Sequence, residues 1–276
     1  MTWVIGVPTI GCGLLLGDIA VTDAATGQIE PYGLMKVHPL GNRAAVGFAG
    51  SVMIALELLP ELQSFGASVS EAELLSALPH WVAGITRTYE SRFPPSARAL
   101  GLAMLVLAAQ ESRTDAGSLM GFSTVRGCRL TFPQTSGERP SAVELPHGKA
   151  ASIGSGSQQH VYAARLDVAI GGSLIHTFEN LAIGSAPYAN FAYAKLAALR
   201  ITETLQADPH HGISEQLIIC VLGGPVRVFI DNQLPLDSDG KLQPGAPAAF
   251  PPIAHSLDEL SQLRGQHGAS HAPLIA

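Results

Sequence analysis

Thr2-Trp3-Val4-Ile5-Gly6-Val7 is followed by Gly11-Cys12-Gly13 and then by Leu14-Leu15-Leu16-Gly17-Asp18. The β-branched and aromatic content of Trp3 to Val7 predicts a short strand. The glycine pair reads as a turn, and a strand resumes over Leu14 to Thr22, so the chain opens with a hairpin. The apolar run Leu14 to Leu16 leads into a carboxylate, and a buried carboxylate needs a partner. Further on, Gly33 to Val37 and Arg43 to Ala49 form a second strand pair, joined through Pro39-Leu40-Gly41-Asn42. Lys36 lies inside the first of these apolar strands and needs a partner too. A buried Asp18–Lys36 pair near the start of the chain would satisfy both charges; the same residues also fit an ordinary strand-end ion pair.

At Ser51 the hydrophobic period changes. Val52, Ala55, Leu56, Leu59 and Leu62 follow the stripe of an amphipathic helix, with Ser51 as its N-cap. Ser70 starts a second helix with Glu73 as capping-box partner, running towards Tyr89 and Pro94, and Pro79 is expected to bend or split it. Gly101 to Ala109 is a continuous apolar run and predicts a buried strand, with Leu119 to Thr124 and Cys128 to Phe132 pairing with it. Gly137 to Lys149 is polar and turn-rich. Gly154-Ser155-Gly156-Ser157 marks the entry to a third helix carrying Val161, Ala164 and Val168, and Gly171-Gly172 breaks that helix or the loop after it. Ser185-Ala186-Pro187 opens the last long helix, with Phe191, Ala194, Ala198, Ile201 and Leu205 on its apolar face. Two strands, Glu215 to Leu222 and Val226 to Ile230, turn at Gly223-Gly224.

This order, with strands and helices clustered rather than alternating, predicts an α+β chain of two packed sheets with helix pairs outside. Residues 1–231 are expected to form one domain. From Asn232 the composition shifts to Pro, Ala, Gly, Ser and His, and 232–276 reads as a largely irregular tail. Ile253, Leu257, Leu260 and Leu263 allow one short helix on it. The tail would either be tethered at the surface or dock on a neighbouring subunit.

Of the 276 residues, 47% are hydrophobic and 14% are charged, against the roughly 25% charged residues of an average chain. So little charge points to apolar surface covered by subunit contacts, hence an oligomer. The formal net charge is −6 and there is no Lys/Arg stripe, which excludes a nucleic-acid binder. No charged leader precedes an apolar run, and no apolar stretch reaches the ~20 residues of a membrane span, so a cytoplasmic protein is expected. Cys12, Cys128 and Cys220 are widely spaced and odd in number, as buried free thiols would be in a reducing compartment.

Thr2 carries the candidate chemistry. Removal of Met1 would expose its α-amine, whose ordinary pKa of about 7.7–8.0 suits a base near neutral pH. A threonine at a chain start then supplies nucleophile and base in one residue. A cation close to that amine would lower its pKa and improve it as a base. Gly50, at a strand-to-helix junction, would let a substrate approach the backbone; it also fits a plain turn glycine. Phosphate cradling by Gly154–Ser157 is disfavoured, since no Gly-Lys-Ser/Thr follows. Asp208, His210 and His211 raise a metal reading. Adjacent histidines on an extended segment diverge, and no Cys or Glu sits at ligand spacing, so no metal is expected. His38, His80, His147, His160 and His176 are scattered.

Thr2, Gly17-Asp18-Ile19, Met35-Lys36-Val37 and Phe48-Ala49-Gly50-Ser51, in that order, resemble the opening of proteasome β-subunits and their bacterial HslV-type and Anbu-type relatives. The Thr2-to-Asp18 spacing matches theirs, while Lys36 and Gly50 sit slightly late by a common offset. Ile153-Gly154-Ser155-Gly156-Ser157 resembles that family's Gly-Ser-Gly segment. Asp208 followed by Gly212 resembles its Asp-x-x-Ser-Gly loop, with His211 where Ser is usual. The resemblance covers Thr2 to Ile230.

The resemblance implies an αββα four-layer sandwich of two mainly antiparallel sheets, the fold of N-terminal-nucleophile hydrolases. It implies Thr2 as nucleophile, Asp18 and Lys36 tuning it, the Gly50 amide in the oxyanion hole, and Ser155 and Asp208 around the terminal threonine. The activity implied is a threonine-type peptidase or amidohydrolase acting on peptides or unfolded chains, with no required cofactor. Its setting would be a homo-oligomeric ring or helical assembly, with an ATP-dependent unfoldase as a possible partner. The alternatives are a ring-forming scaffold without catalysis and a small-amide acylase; the lack of a long propeptide before Thr2 argues against elaborate self-cleavage.

Overall fold

A computed structural model describes residues 2–70, 72–113, 119–134, 138–170, 188–209, 212–223, 226–231, 251–267 and 274–275. The expected Gly171-Gly172 break, the helix opening at Ser185-Ala186-Pro187, His176, and His210 and His211 lie outside these residues.

The elements run β1 (Val4–Pro8), β2 (Gly13–Asp18), β3 (Ala20–Asp23), β4 (Ile29–Leu34), β5 (Val37–Pro39), β6 (Ala44–Gly50), α1 (Val52–Ser68), α2 (Leu74–Thr86), α3 (Tyr89–Arg92) and α4 (Pro95–Arg98). Then come β7 (Leu102–Arg113), β8 (Leu119–Phe132), β9 (Ser141–Glu144), β10 (Ala151–Ile153), α5 (His160–Ala169), α6 (Tyr188–Ala207), β11 (Leu217–Leu222) and β12 (Arg227–Asp231). The last are β13 (Ile253–Ala254), α7 (Leu257–His267) and β14 (Leu274–Ile275). Two sheets have five strands, ordered β10-β1-β2-β11-β12 and β5-β6-β7-β8-β9, and a third is ordered β13-β4-β3-β14. The chain is α+β with antiparallel pairing throughout these sheets except for β13 on β4.

The continuous apolar runs have a simple cause. Successive side chains of a strand face opposite ways, and here both faces are covered. On β7, Met104, Val106 and Ala108 join the core that includes α1 and α2 residues such as Ile54, Leu58 and Leu78. Leu105, Leu107 and Ala109 point the other way, into a core shared with Val4, Leu15 and Ile218. On β2 and β11, Leu14, Leu16, Ile219 and Val221 face a third core with Tyr162 and Leu166 of α5 and Ile201 and Leu205 of α6.

Several expectations change in detail. The strand expected over Leu14 to Thr22 breaks at Ile19, because the Asp18 carboxylate folds back to accept from the amides of Trp3 and Ala20. β3 then joins a different sheet. The strand expected over Gly33 to Val37 is interrupted at Met35-Lys36 between β4 and β5. The second helix does split, but at Arg87-Thr88 rather than at Pro79, which lies inside α2. Ser70 does not cap a backbone amide through its side chain; its hydroxyl donates to the Glu73 carboxylate at 2.6 Å. β9 forms within the segment expected to be turn-rich.

The C-terminal segment, expected to be largely irregular, contributes α7 and adds a strand to each edge of the β3–β4 pair. Leu257, Leu260 and Leu263 lie on α7 as the periodicity suggested, with Leu260 buried in the α1 core. Among the described residues no helix is long and apolar enough to cross a membrane.

Candidate active site

Strand register brings the start of the chain to Asp18. β1 pairs with β2 so that Val4 faces Gly17, and one residue further the Trp3 amide donates to Asp18 Oδ1 at 2.9 Å. Oδ2 accepts from the amides of Ala20 at 3.1 Å and Ser214 at 3.4 Å. The Lys36 Nζ lies 3.1 Å from each carboxylate oxygen, with both side chains fully buried.

Lys36 completes the cluster. Its Nζ stands 2.7 Å from Thr2 Oγ1 and 2.5 Å from the Ala20 carbonyl oxygen. An ammonium has three protons, and here four acceptor atoms surround it. Burial pushes the Lys36 amine below the ordinary lysine range, while Asp18 opposes that shift. In its neutral form the amine keeps two protons and a lone pair that can accept the threonine hydroxyl proton.

Thr2 is 1% exposed. Its nitrogen bonds Ser155 Oγ at 3.0 Å, and its carbonyl accepts from the Gly156 amide at 3.1 Å and from Ser155 Oγ at 3.4 Å. β10 sets this up: Ile153 faces Val4, so the next residues turn onto Thr2. Gly154 has φ +89°, and a Cβ there would fall 2.3 Å from the Thr2 carbonyl oxygen. Only glycine fits that approach.

Gly50 closes β6 with φ +112° and is half-buried in a strand otherwise buried. Its need for glycine comes from the Gly101 carbonyl oxygen, which would lie 2.5 Å from a Cβ. The Phe48 amide donates to the Lys36 carbonyl at 3.0 Å and the Ser51 amide to Gly101 at 2.7 Å on the opposite edge.

The structure therefore gathers Thr2, Asp18, Lys36 and Ser155 into one hydrogen-bonded cluster. Asp208 lies outside that cluster: its carbonyl accepts from the Tyr162 hydroxyl at 2.6 Å, and the Tyr162 ring stacks on Trp3 at 4.7 Å. Sequence reasoning missed Ser214, whose amide meets Asp18 and whose Oγ accepts from the Ile19 amide at 3.1 Å. Its signal was present only as register: β11 places Leu217 opposite Asp18.

The three cysteines are buried free thiols. Burial pushes Cys128 up to about 11 and Cys220 to about 12, and Cys12 higher still, so none is a thiolate near neutral pH. Among the described residues no group of three or more His, Cys, Asp or Glu is arranged to hold a metal.

Fold and site together define an α+β chain of antiparallel sheets with a buried threonine–lysine–aspartate cluster beside its first residues. No family model matches the sequence, and no curated protein matches it. Among solved structures it is similar to the eukaryotic HslV from Trypanosoma brucei, with a TM-score of 0.45 and 18% identity, covering 80% of this chain and 98% of that one. At that identity and score the likeness assigns neither a family nor an activity.

Proposed function

We propose that the protein is a threonine-type amidohydrolase or peptidase of the proteasome-like, N-terminal-nucleophile kind, with Thr2 as nucleophile once Met1 is removed. The observation that carries this reading is the 2.7 Å contact of Lys36 Nζ with Thr2 Oγ1, in a pocket where Asp18 and Lys36 are fully buried. An isolated structural ion pair has no need of a threonine hydroxyl as a further partner.

In this mechanism Thr2 Oγ1 attacks the amide carbonyl carbon. Its proton passes to the freed α-amine or to Lys36, and then to the leaving amine as the C–N bond breaks. The acyl group rests on Thr2 as an ester until water hydrolyses it, restoring the hydroxyl. The Gly50 amide faces the developing oxyanion, and a donor of that kind contributes about 2.7–4 kcal/mol. Ser155 holds the α-amine, and Asp208 holds the Tyr162–Trp3 stack behind it. On this reading the three cores are the seams of an αββα sandwich whose two five-stranded sheets lie within residues 1–231. A cytoplasmic homo-oligomeric ring or helical assembly, serving peptide or unfolded-protein substrates with an unfoldase partner, is the setting that goes with this chemistry.

Intact mass of the purified protein, followed by labelling with a β-lactone probe, tests the reading. Loss of one methionine and modification at Thr2, abolished in Thr2→Ala, is the expected result. The burial of Thr2 to 1% exposure favours a second reading, a non-catalytic scaffold. Retained Met1 with an assembled oligomer and no labelling would establish that one.

A further inference from the structure

Lys36 lies in a short interruption between β4 and β5, so its position depends on how residues 33–35 are held. The Leu34 amide donates to the Ile19 carbonyl at 2.9 Å, within the hairpin region itself. The amides on either side go elsewhere. Gly33 donates to the Pro252 carbonyl at 2.8 Å and Met35 to the Ala254 carbonyl at 2.9 Å. Of the three amides immediately before Lys36, two thus donate to a segment more than 200 residues away in sequence.

Side chains tighten the same place. His255 Nδ1 lies 2.9 Å from Met35 Sδ. The Met35 carbonyl contacts His38 Nε2 at 2.7 Å, and the His38 ring stacks on Phe48 at 5.9 Å. The Phe48 amide in turn holds the Lys36 carbonyl. The segment is itself anchored: Ala254 is fully buried, Leu260 sits in the α1 core, and the His255 amide donates to the Glu259 carboxylate at 2.7 Å.

We infer that residues 252–260 are a positioning element of the Thr2–Lys36 site, setting where Lys36 Nζ stands through the backbone of 33–35 and the His255–Met35 contact. None of these residues touches the reacting atoms. The inference rests on the reading of Thr2 as nucleophile. Displacing a reacting group by about 1 Å costs on the order of 10²-fold in rate, so a modest shift of the β4–β5 interruption is enough to be read.

The test uses the full-length protein and the rate of β-lactone modification at Thr2 as a function of pH. Ala254→Glu puts a charge at a fully buried position and is expected to slow modification at least about ten-fold. His255→Ala, at an exposed residue, is expected to slow it about three-fold and to displace the pH midpoint, because the group tuned by Lys36 is what titrates. His255→Asn, which retains a donor near the Nδ1 position, recovers most of the loss. Should Ala254→Glu not fold, the two His255 variants decide. Wild-type rates and pH profiles in folded variants overturn the inference while leaving Thr2 as nucleophile; absence of modification in the wild type overturns both.

Discussion

Gly154 and Thr2 are packed so closely that a methyl group on the glycine would overlap the threonine carbonyl oxygen, at 2.3 Å. The carbonyl is backbone on a strand end, so it cannot swing away as a flexible side chain would. Gly154→Ala must move Thr2, the more so because φ at this position is +89°. Thr2 labelling is expected to fall at least about ten-fold, with a loss of about 1–3 kcal/mol from the strained backbone in urea unfolding. Unchanged labelling would show that Thr2 is not held by this contact.

Lys36 and Asp18 are a buried pair and behave asymmetrically on mutation. Lys36→Met leaves the Asp18 carboxylate buried without its cation and is expected to cost about 3–5 kcal/mol. Adding Asp18→Asn in that background should recover part of the stability, since the uncompensated charge is gone. Labelling of Thr2 should be lost in both. Denaturant midpoints of the two variants, compared with wild type, check the stability half of this prediction.

His38 predicts the acid limb of stability. Burial pushes its pKa down to about 4 from the ordinary 6.5, with the nearby His255 acting in the same sense. Between those values the unfolded chain binds a proton that the folded chain refuses. Stability is therefore complete above about pH 6.5 and falls as the pH drops towards 4, by up to about 3 kcal/mol. Urea midpoints at neutral pH and near pH 4.5 measure this, and His38→Leu should flatten the difference. An equal pH dependence in wild type and His38→Leu would assign the acid limb to other groups.

Ser214 bonds the Ile19 amide through its Oγ and the Asp18 carboxylate through its amide. Ser214→Ala removes the Oγ bonds to the Ile19 amide and to the Gln216 carbonyl, keeps the amide–Asp18 bond, and leaves a part-buried amide without its acceptor, a loss of about 1–2 kcal/mol. The chain break after Asp18 should loosen, so the Thr2 labelling rate should fall a few-fold. Hydrogen exchange at Ile19 is the direct measurement: the amide should exchange faster in the variant.

Much of the site could be read from single residues. Asp18 at the end of an apolar run and Lys36 within another each announce a buried charge, and two such buried charges of opposite sign call for each other. The apolar runs Leu14 to Leu16, Gly101 to Ala109 and Leu217 to Leu222 likewise announce strands covered on both faces. What could not be read is whatever depends on the path between strands. A break at Ile19 is decided by where the Asp18 side chain finds its amides. The Gly50 conformation is decided by the Gly101 carbonyl. The role of Ser214 needs the β2–β11 register, and the docking of 252–260 needs an edge of β4 left open.

The local chemistry was thus determined by the sequence: burying a carboxylate and an ammonium costs several kcal/mol unless they meet, and that cost marks Asp18 and Lys36 in any window that contains them. The tertiary structure alone decided that the Ala20 carbonyl and the Ser214 amide complete their coordination, and that the Pro252 and Ala254 carbonyls hold the backbone before Lys36. Those partners come from backbone pairings between segments up to two hundred residues apart, and such pairings leave no periodic trace in either segment.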